Sequence, residues 1–243
     1  HLDHDDVVAG VQRRFAGGPG GERPPRAAPT ASPRPVAVDE RDTEQVHLMV
    51  GLAALDRHDP DRYPLAVVNH VLGGGLSSRL FQTVREERGL AYSVYSYTSA
   101  LADCGFLGVY AGTMPSRAAE VLGLIRSELS SLAGGGLTER ELDVARRHLA
   151  GELALSLEDS AARMNRIGRS QLVHGEVLSV DEQVARITAV TADDAARVAA
   201  SVLGGPQTLA LVGHVSATEL GCEMVTGATI SGSSSAGSGR RHR

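Results

Sequence analysis

The segment from residue 65 to residue 99 restricts the fold more than any other part of the chain. It contains two helical runs, each followed by glycine, and then a run of residues that favour a strand. Apolar residues at helical spacing lead into three consecutive glycines, Gly73–Gly75, which interrupt the helix. A second helical run extends from residue 77 or 78 to about Arg88, where Gly89 is suited to end it. The residues that come next favour a strand: Tyr92, Val94, Tyr95 and Tyr97. The segment therefore predicts a helix, a glycine corner, a second helix and a strand.

Further strands and helices are predicted by patterns on either side of this segment. Residues 45–55 form an apolar run typical of a buried strand, residues 105–113 alternate in polarity, and residues 207–212 resemble a closing strand. The short connection before residue 105 favours an antiparallel hairpin. Three pairs of residues form capping boxes at helix starts: Thr138 with Glu141, Ser179 with Glu182, and Thr191 with Asp194. This order predicts an α+β fold, in which an antiparallel β-sheet has helices packed on one face.

The two ends of the chain differ from its middle in composition. A short amphipathic helix is expected to end near Phe15, and residues 17–35, which are rich in Gly, Pro and Ala, are interpreted as a linker. We expect one domain at residues 36–215 and a disordered, Gly- and Ser-rich tail at residues 216–243. Because the chain begins with His1 rather than Met, we expect a processed chain or a fragment of a longer one.

Charge and composition argue against several classes of function. The formal net charge is -5, so binding of nucleic acid through a basic surface is not expected. No apolar run approaches the roughly 18 residues that a membrane-spanning helix needs, and no secretory signal is recognisable. Two cysteines are too few for a disulfide scaffold or a cysteine-based zinc site, and they suit a reducing compartment. We therefore expect a cytoplasmic protein that binds neither nucleic acid nor a membrane.

None of the nine histidines lies in a recognisable zinc motif, because both His-Glu-x-x-His and the inverted His-x-x-Glu-His are absent. His1 and His4 are three positions apart and would hold a metal only loosely. Gly73–Gly75 lacks the Lys-Ser/Thr ending of a phosphate loop, so a flexible corner between helices is favoured over a nucleotide site. No nucleophile motif is present either. We expect neither a catalytic residue nor a metal ligand in this chain.

Arg85 and Tyr92 remain as candidates for binding a substrate. They lie on either side of the predicted reversal at Gly89, which would direct both side chains to one patch. A guanidinium and a phenol there would offer hydrogen-bond donors to a peptide carbonyl or a carboxylate. The alternative is that Arg85 belongs to a solvated run of charges at residues 85–88 and that Tyr92 packs on the sheet.

The block His70–Phe81, followed by Arg85–Tyr92, resembles the second-domain signature of the insulinase/pitrilysin-like zinc metallopeptidases. It is most similar to the short bacterial members related to mitochondrial processing peptidase. Residues 43–47 resemble the first strand of that domain, and residues 4–8 resemble the end of the catalytic domain that precedes it. The resemblance extends over about residues 1–213 and is most specific between residues 70 and 97.

This resemblance implies a function for the whole enzyme and for this half of it. In the family the first domain binds zinc and hydrolyses peptides, while the second has a similar α+β fold and helps to hold the substrate. The Arg and Tyr of the second domain match Arg85 and Tyr92, which are then substrate-binding residues that stabilise the developing oxyanion. Residues 1–16 are then a remnant of the catalytic domain. Zinc is implied for the full-length enzyme, with none bound by this chain.

The resemblance also implies partners, and it leaves two other functions open. The expected partners are a peptide substrate, a catalytic domain in the same or another chain, and a second copy in a homodimer. One alternative is a non-catalytic partner or structural subunit of the same fold, like the core proteins of the respiratory cytochrome complex. The other is a nucleotide-binding module at Gly73–Gly75, which would require saturable nucleotide binding that Gly75→Val abolishes.

Overall fold

A computed structural model describes residues 2–18, 35–216, 218 and 220, so most of the predicted linker and tail lie outside the described residues. The strands are β1 (Val36–Glu40), β2 (Val46–Ala54), β3 (Ala91–Ala100), β4 (Gly105–Thr113) and β5 (Gln207–Gly213). The α-helices are α1 (His4–Phe15), α2 (Arg62–Gly73), α3 (Ala118–Gly135), α4 (Glu139–Ser156), α5 (Ser160–His174), α6 (Val180–Thr188) and α7 (Ala192–Leu203). A π-helix, Phe81–Glu86, and a 3-10 turn, Pro115–Arg117, complete the described elements.

The strands form one sheet in the order β1-β5-β2-β4-β3. β3 and β4 pair antiparallel as the predicted hairpin, and β2 pairs antiparallel with both β4 and β5. β1 pairs with β5 in parallel, so the sheet is mixed.

The predicted α+β class is confirmed. The expectation that residues 43–47 resemble the first strand is corrected, because β1 precedes them and the next strand, β2, begins at Val46. β1 is only five residues long, which is too short for a recognisable alternation.

One face of the sheet packs against the helices. Alternate residues of β2 and β4 are buried on this face, including Leu48, Val50, Leu107 and Val109. Helices α2, α3 and α7 lie against it. The buried core of the described residues consists of Leu, Val, Ile and Ala, as expected from an aromatic content of 3%. Because burying one Leu, Val or Ile side chain contributes about 1.5–3 kcal/mol, this layer is the main source of stability.

The opposite face of the sheet carries aromatic side chains. Tyr110 is central on it, with its ring centre 5.0 Å from that of Tyr95 and its hydroxyl 2.8 Å from Nδ1 of His47. Tyr97 and Phe106 continue the cluster with ring centres 5.7 Å apart. Tyr95 and Phe106 are 46% and 41% exposed, so this face stays partly open to solvent.

Helix α1 precedes the sheet and ends where the sequence predicts. The side chain of Asp3 accepts hydrogen bonds from the N–H groups of Asp5 and Asp6, which is an N-cap, and the helix ends at Phe15. In the part of the chain that the structure describes, no helix is long and apolar enough to cross a membrane. The division into a remnant, a linker, a domain and a tail stays a prediction.

Candidate functional site

The glycine corner at Gly73–Gly75 allows α2 to approach the sheet closely. A Cβ atom on Gly73 would lie 2.5 Å from the backbone nitrogen of Ser96 in β3, so only glycine fits there. A Cβ atom on Gly74 would lie 2.7 Å from Cα of His70. The predicted corner is therefore present, and close packing, rather than flexibility, explains why glycine is needed.

The helix that carries Arg85 is a π-helix at its centre, whereas the sequence predicts a regular helix from residue 77 or 78 to 88. The N–H of Glu87 donates to the carbonyl of Gln82, five residues earlier, at 2.9 Å. The spacing of apolar residues does not reveal the π-helix, because one widened turn is too short to change the helical period of the sequence. Single π-helical turns occur frequently at functional sites.

Gly89 turns the chain from this helix into β3. Its φ of 60° lies in the left-handed region, which glycine adopts at little cost. The N–H of Gly89 donates to the carbonyl of Arg85 at 3.1 Å, and the N–H of Leu90 donates to the carbonyl of Val84 at 2.9 Å. The carbonyl of Leu90 accepts the buried hydroxyl of Thr113 at 2.6 Å. These bonds fix the start of β3 relative to Arg85.

A β-bulge at the start of β3 directs Tyr92 to solvent. Ala91 and Ser93 pair with consecutive residues of β4, so no residue lies opposite Tyr92. Ala91 is buried on the helix side, whereas Tyr92 is 78% exposed. In a strand without the bulge, Tyr92 would share the buried face with Val94. The structure therefore differs from the alternative in which Tyr92 packs on the sheet.

The reversal brings Arg85 and Tyr92 together. Cζ of Arg85 lies 5.4 Å from the centre of the Tyr92 ring and 4.8 Å from the centre of the Phe81 ring. Each is a cation–π contact, which contributes about 0.5–1 kcal/mol at an exposed site. Within the described residues, the side chain of Arg85 donates no hydrogen bond, and its ion-pair contact is Glu86 at 3.9 Å. Its guanidinium is therefore held by rings while its donors remain available to a ligand.

The residues that the structure describes do not fit the zinc site that the family implies for the full-length enzyme. They contain no group of three or more His, Cys, Asp or Glu side chains that could hold a metal. His1 lies outside the described residues, so the pair that it would form with His4 is not described. His70 and His148 do meet, with ring centres 4.4 Å apart and 26° between their planes. Two histidines are fewer than the three protein ligands that a catalytic zinc site uses.

The His70–His148 stack and the position of Phe81 are the features that sequence reasoning missed. Burial, and then the nearby His148, lower the pKa of His70. His70 is 6% exposed and lies under the glycine corner, where a Cβ on Gly75 would come within 3.0 Å of its ring. The sequence did contain a signal for the position of Phe81. Phe81 and Arg85 are four residues apart, and residues at that spacing are neighbours on a helix.

Comparison with known proteins identifies the family. Residues 1–149 match the family described as the peptidase M16 inactive domain. A protein named as an uncharacterised zinc protease of Streptomyces coelicolor is 48% identical over 223 residues, which is 88% of this chain and 48% of that protein. The chain thus spans about half the length of the curated relative that it matches.

Solved structures agree on the fold. The peptidase M16 inactive domain from Pseudomonas fluorescens matches with a TM-score of 0.77 and 24% identity, over 87% of this chain and 51% of that chain. A chain of Complex III2 from Candida albicans matches with a TM-score of 0.76 and 18% identity, over 92% of this chain and 55% of that chain. At such identities the likeness concerns the fold alone. By the match of residues 1–149, the chain belongs to the peptidase M16 inactive-domain family.

Proposed function

We propose that this chain is the substrate-holding half of a zinc-dependent endopeptidase, in which Arg85 and Tyr92 bind the peptide and the other half supplies the metal site. The observation that carries the proposal is the exposed pair beside Gly89. It combines a guanidinium with unused donors and a tyrosine that a bulge directs to solvent. Membership of the M16 family and the name of the Streptomyces coelicolor relative support a peptide as the ligand.

Arg85 and Tyr92 suit a peptide group that undergoes hydrolysis. A guanidinium and a phenol both donate hydrogen bonds, and the carbonyl oxygen of a peptide accepts them. That oxygen becomes negative as the carbonyl carbon turns tetrahedral, so the interaction strengthens toward the transition state and lowers the barrier. The charged donor, Arg85, is expected to contribute more than Tyr92, because charge-assisted hydrogen bonds are stronger. In this account the chain binds and orients the peptide.

The proposal requires a second, metal-bearing domain, in the same chain or another. The described residues do not fit a zinc site, and the chain corresponds to 48% of the length of its Streptomyces coelicolor relative. We therefore expect that this chain alone, as a monomer or a homodimer, does not hydrolyse peptides. The cytoplasm is the proposed compartment, because the two cysteines suit a reducing environment.

A non-catalytic partner or structural subunit of the same fold is the second candidate. The observation that favours this candidate is the similarity to a chain of Complex III2. That similarity concerns the fold. The two candidates differ in the other half, which carries an intact metal motif in the first and an eroded motif in the second.

A mixing experiment tests the proposed function. This chain and the other half are purified separately, dialysed, assayed for zinc and tested alone and together on an internally quenched peptide. We expect zinc in the other half and cleavage only in the mixture. Stoichiometric zinc in this chain, or cleavage by this chain alone, would contradict the proposal. A mixture that neither holds zinc nor cleaves peptide would favour the structural subunit.

A further inference from the structure

We propose that Phe81 is a positioning residue, which holds the guanidinium of Arg85 beside Tyr92 so that its donors face a bound peptide. The proposal rests on the function proposed above for Arg85. It extends the site to a residue that acts on Arg85 rather than on the peptide.

Phe81 is the better anchored of the two rings that contact Arg85. Its ring centre is 4.8 Å from Cζ of Arg85, compared with 5.4 Å for Tyr92. Phe81 is partly buried at the start of the π-helix, whereas Tyr92 is 78% exposed on a bulge. Phe81 and Arg85 also belong to the same π-helix, so their separation does not depend on the turn at Gly89. Phe81 therefore restrains the guanidinium even before a peptide contacts Tyr92.

The charged neighbours of Arg85 do not provide this restraint. Glu86 approaches its guanidinium only to 3.9 Å, and the two side chains are 40% and 53% exposed, so the ion pair contributes little. Arg88, the next cation along the chain, pairs with Glu120 at 3.6 Å. Without the ring of Phe81, Arg85 would retain rotational freedom that it must lose when it binds a peptide, and this loss weakens binding.

An NMR measurement on the full chain tests the contact without any need for activity. The Nε–Hε signal of Arg85, assigned by its loss in Arg85→Lys, should show a ring-current shift and restricted motion on the picosecond-to-nanosecond timescale. Phe81→Leu keeps an apolar side chain but removes the ring, so the signal should move toward that of a free arginine. Phe81→Tyr should restore it. Phe106→Leu, which removes a ring from the aromatic face of the sheet, is the matched control and should leave the signal unchanged.

A double-mutant cycle in the assembled two-half protease tests the consequence for substrate. Phe81→Leu should lower kcat/KM roughly 3- to 10-fold, and Phe81→Tyr should recover most of the loss. In an Arg85→Ala background, Phe81→Leu should have no further effect, because there is no guanidinium left to hold. If Phe81→Leu does not fold, Phe81→Met removes the ring with a longer side chain.

The outcomes separate this inference from the proposed function. An Arg85 signal that Phe81→Leu does not move, or an equal loss of turnover in both backgrounds, would overturn the positioning role. If Arg85→Ala itself leaves turnover unchanged, the proposed function fails and the inference that rests on it fails with it. The NMR signal then still shows whether the Phe81 contact holds Arg85.

Discussion

The guanidinium of Arg79 donates to both carboxylate oxygens of Glu141, at 2.6 and 2.8 Å, across 62 positions of sequence. Arg79 lies just before the π-helix that carries Arg85. Glu141 lies in the first turn of α4 and also accepts a hydrogen bond from the N–H of the N-cap, Thr138, at 2.8 Å. This pair therefore ties the segment that carries the candidate site to the layer of helices.

We expect that Glu141→Gln lowers the free energy of unfolding at neutral pH by about 2 kcal/mol, because it leaves the partly buried Arg79 without its carboxylate. Glutamine keeps an oxygen that can accept from Thr138, so the change reports mainly on the ion pair. Urea unfolding measures the difference. Glu139→Gln, an exposed carboxylate in the same helical turn, is the control and should change stability by less than about 0.5 kcal/mol. Equal effects of the two substitutions would refute the role of the pair.

The same pair predicts a pH dependence. The hydrogen bond from Arg79, followed by those from Thr138, lowers the pKa of Glu141 from 4.5 to about 2. Because the pKa is lower in the folded state, the stabilisation is complete above about pH 4.5 and is lost as the pH falls toward 2. The difference between the wild type and Glu141→Gln should therefore shrink across this range. A difference that stays constant down to pH 2 would show that the charge of Glu141 does not matter.

Two glycine substitutions of the same chemistry should act in opposite directions. At both Gly89 and Gly123 an added Cβ would meet no atom within 4 Å, so packing does not distinguish them. Gly89 has a φ of 60°, and Gly89→Ala should destabilise the protein by about 1–2 kcal/mol. Gly123 lies inside α3, where Gly123→Ala should stabilise it by up to about 1 kcal/mol. Thermal unfolding compares the two variants, and the same sign for both would rule out this conformational explanation.

The stacked pair His70 and His148 should make stability fall in mild acid. Burial and then His148 lower the pKa of His70 from 6.5, while Glu152 opposes the change. The unfolded state therefore takes up the proton first, and stability falls as the pH drops below about 6.5. In denaturant titrations at about pH 8 and about pH 5.5, His70→Leu should reduce this fall. His214→Gln, at an exposed histidine, should not reduce it, and an unchanged pH dependence in His70→Leu would contradict the account.

Much of the fold could be predicted from local patterns. Thr138, Ser179 and Thr191 each begin a helix with the capping box that the sequence indicates. The hairpin and the closing strand also follow the predicted order. The parallel pairing of β1 with β5 could not be predicted, because it joins residues 36–40 to residues 209–213 and depends on the whole domain lying between them.

The candidate site could be predicted only in part. The turn at Gly89 was enough to expect Arg85 and Tyr92 in one patch. The exposure of Tyr92 depends on the bulge, and strict alternation from Val94 would have placed its side chain on the buried face. The spacing of Phe81 and Arg85 was enough to expect them as neighbours on a helix. The π-helical turn that carries both could not be predicted, because it adds no periodicity of its own to the sequence.

The central claim is that Arg85 and Tyr92 hold substrate for a metal site in the other half of a protease. Peptide turnover and zinc content of the assembled protease, measured for Arg85→Ala and Tyr92→Phe, test it most directly. We predict that kcat/KM falls roughly 10- to 100-fold for Arg85→Ala and about 10-fold for Tyr92→Phe, with zinc content unchanged. Arg88→Ala, at a neighbouring arginine that pairs with Glu120, is the control and should retain turnover. Wild-type turnover in both site variants, or loss of zinc from either, would contradict the account.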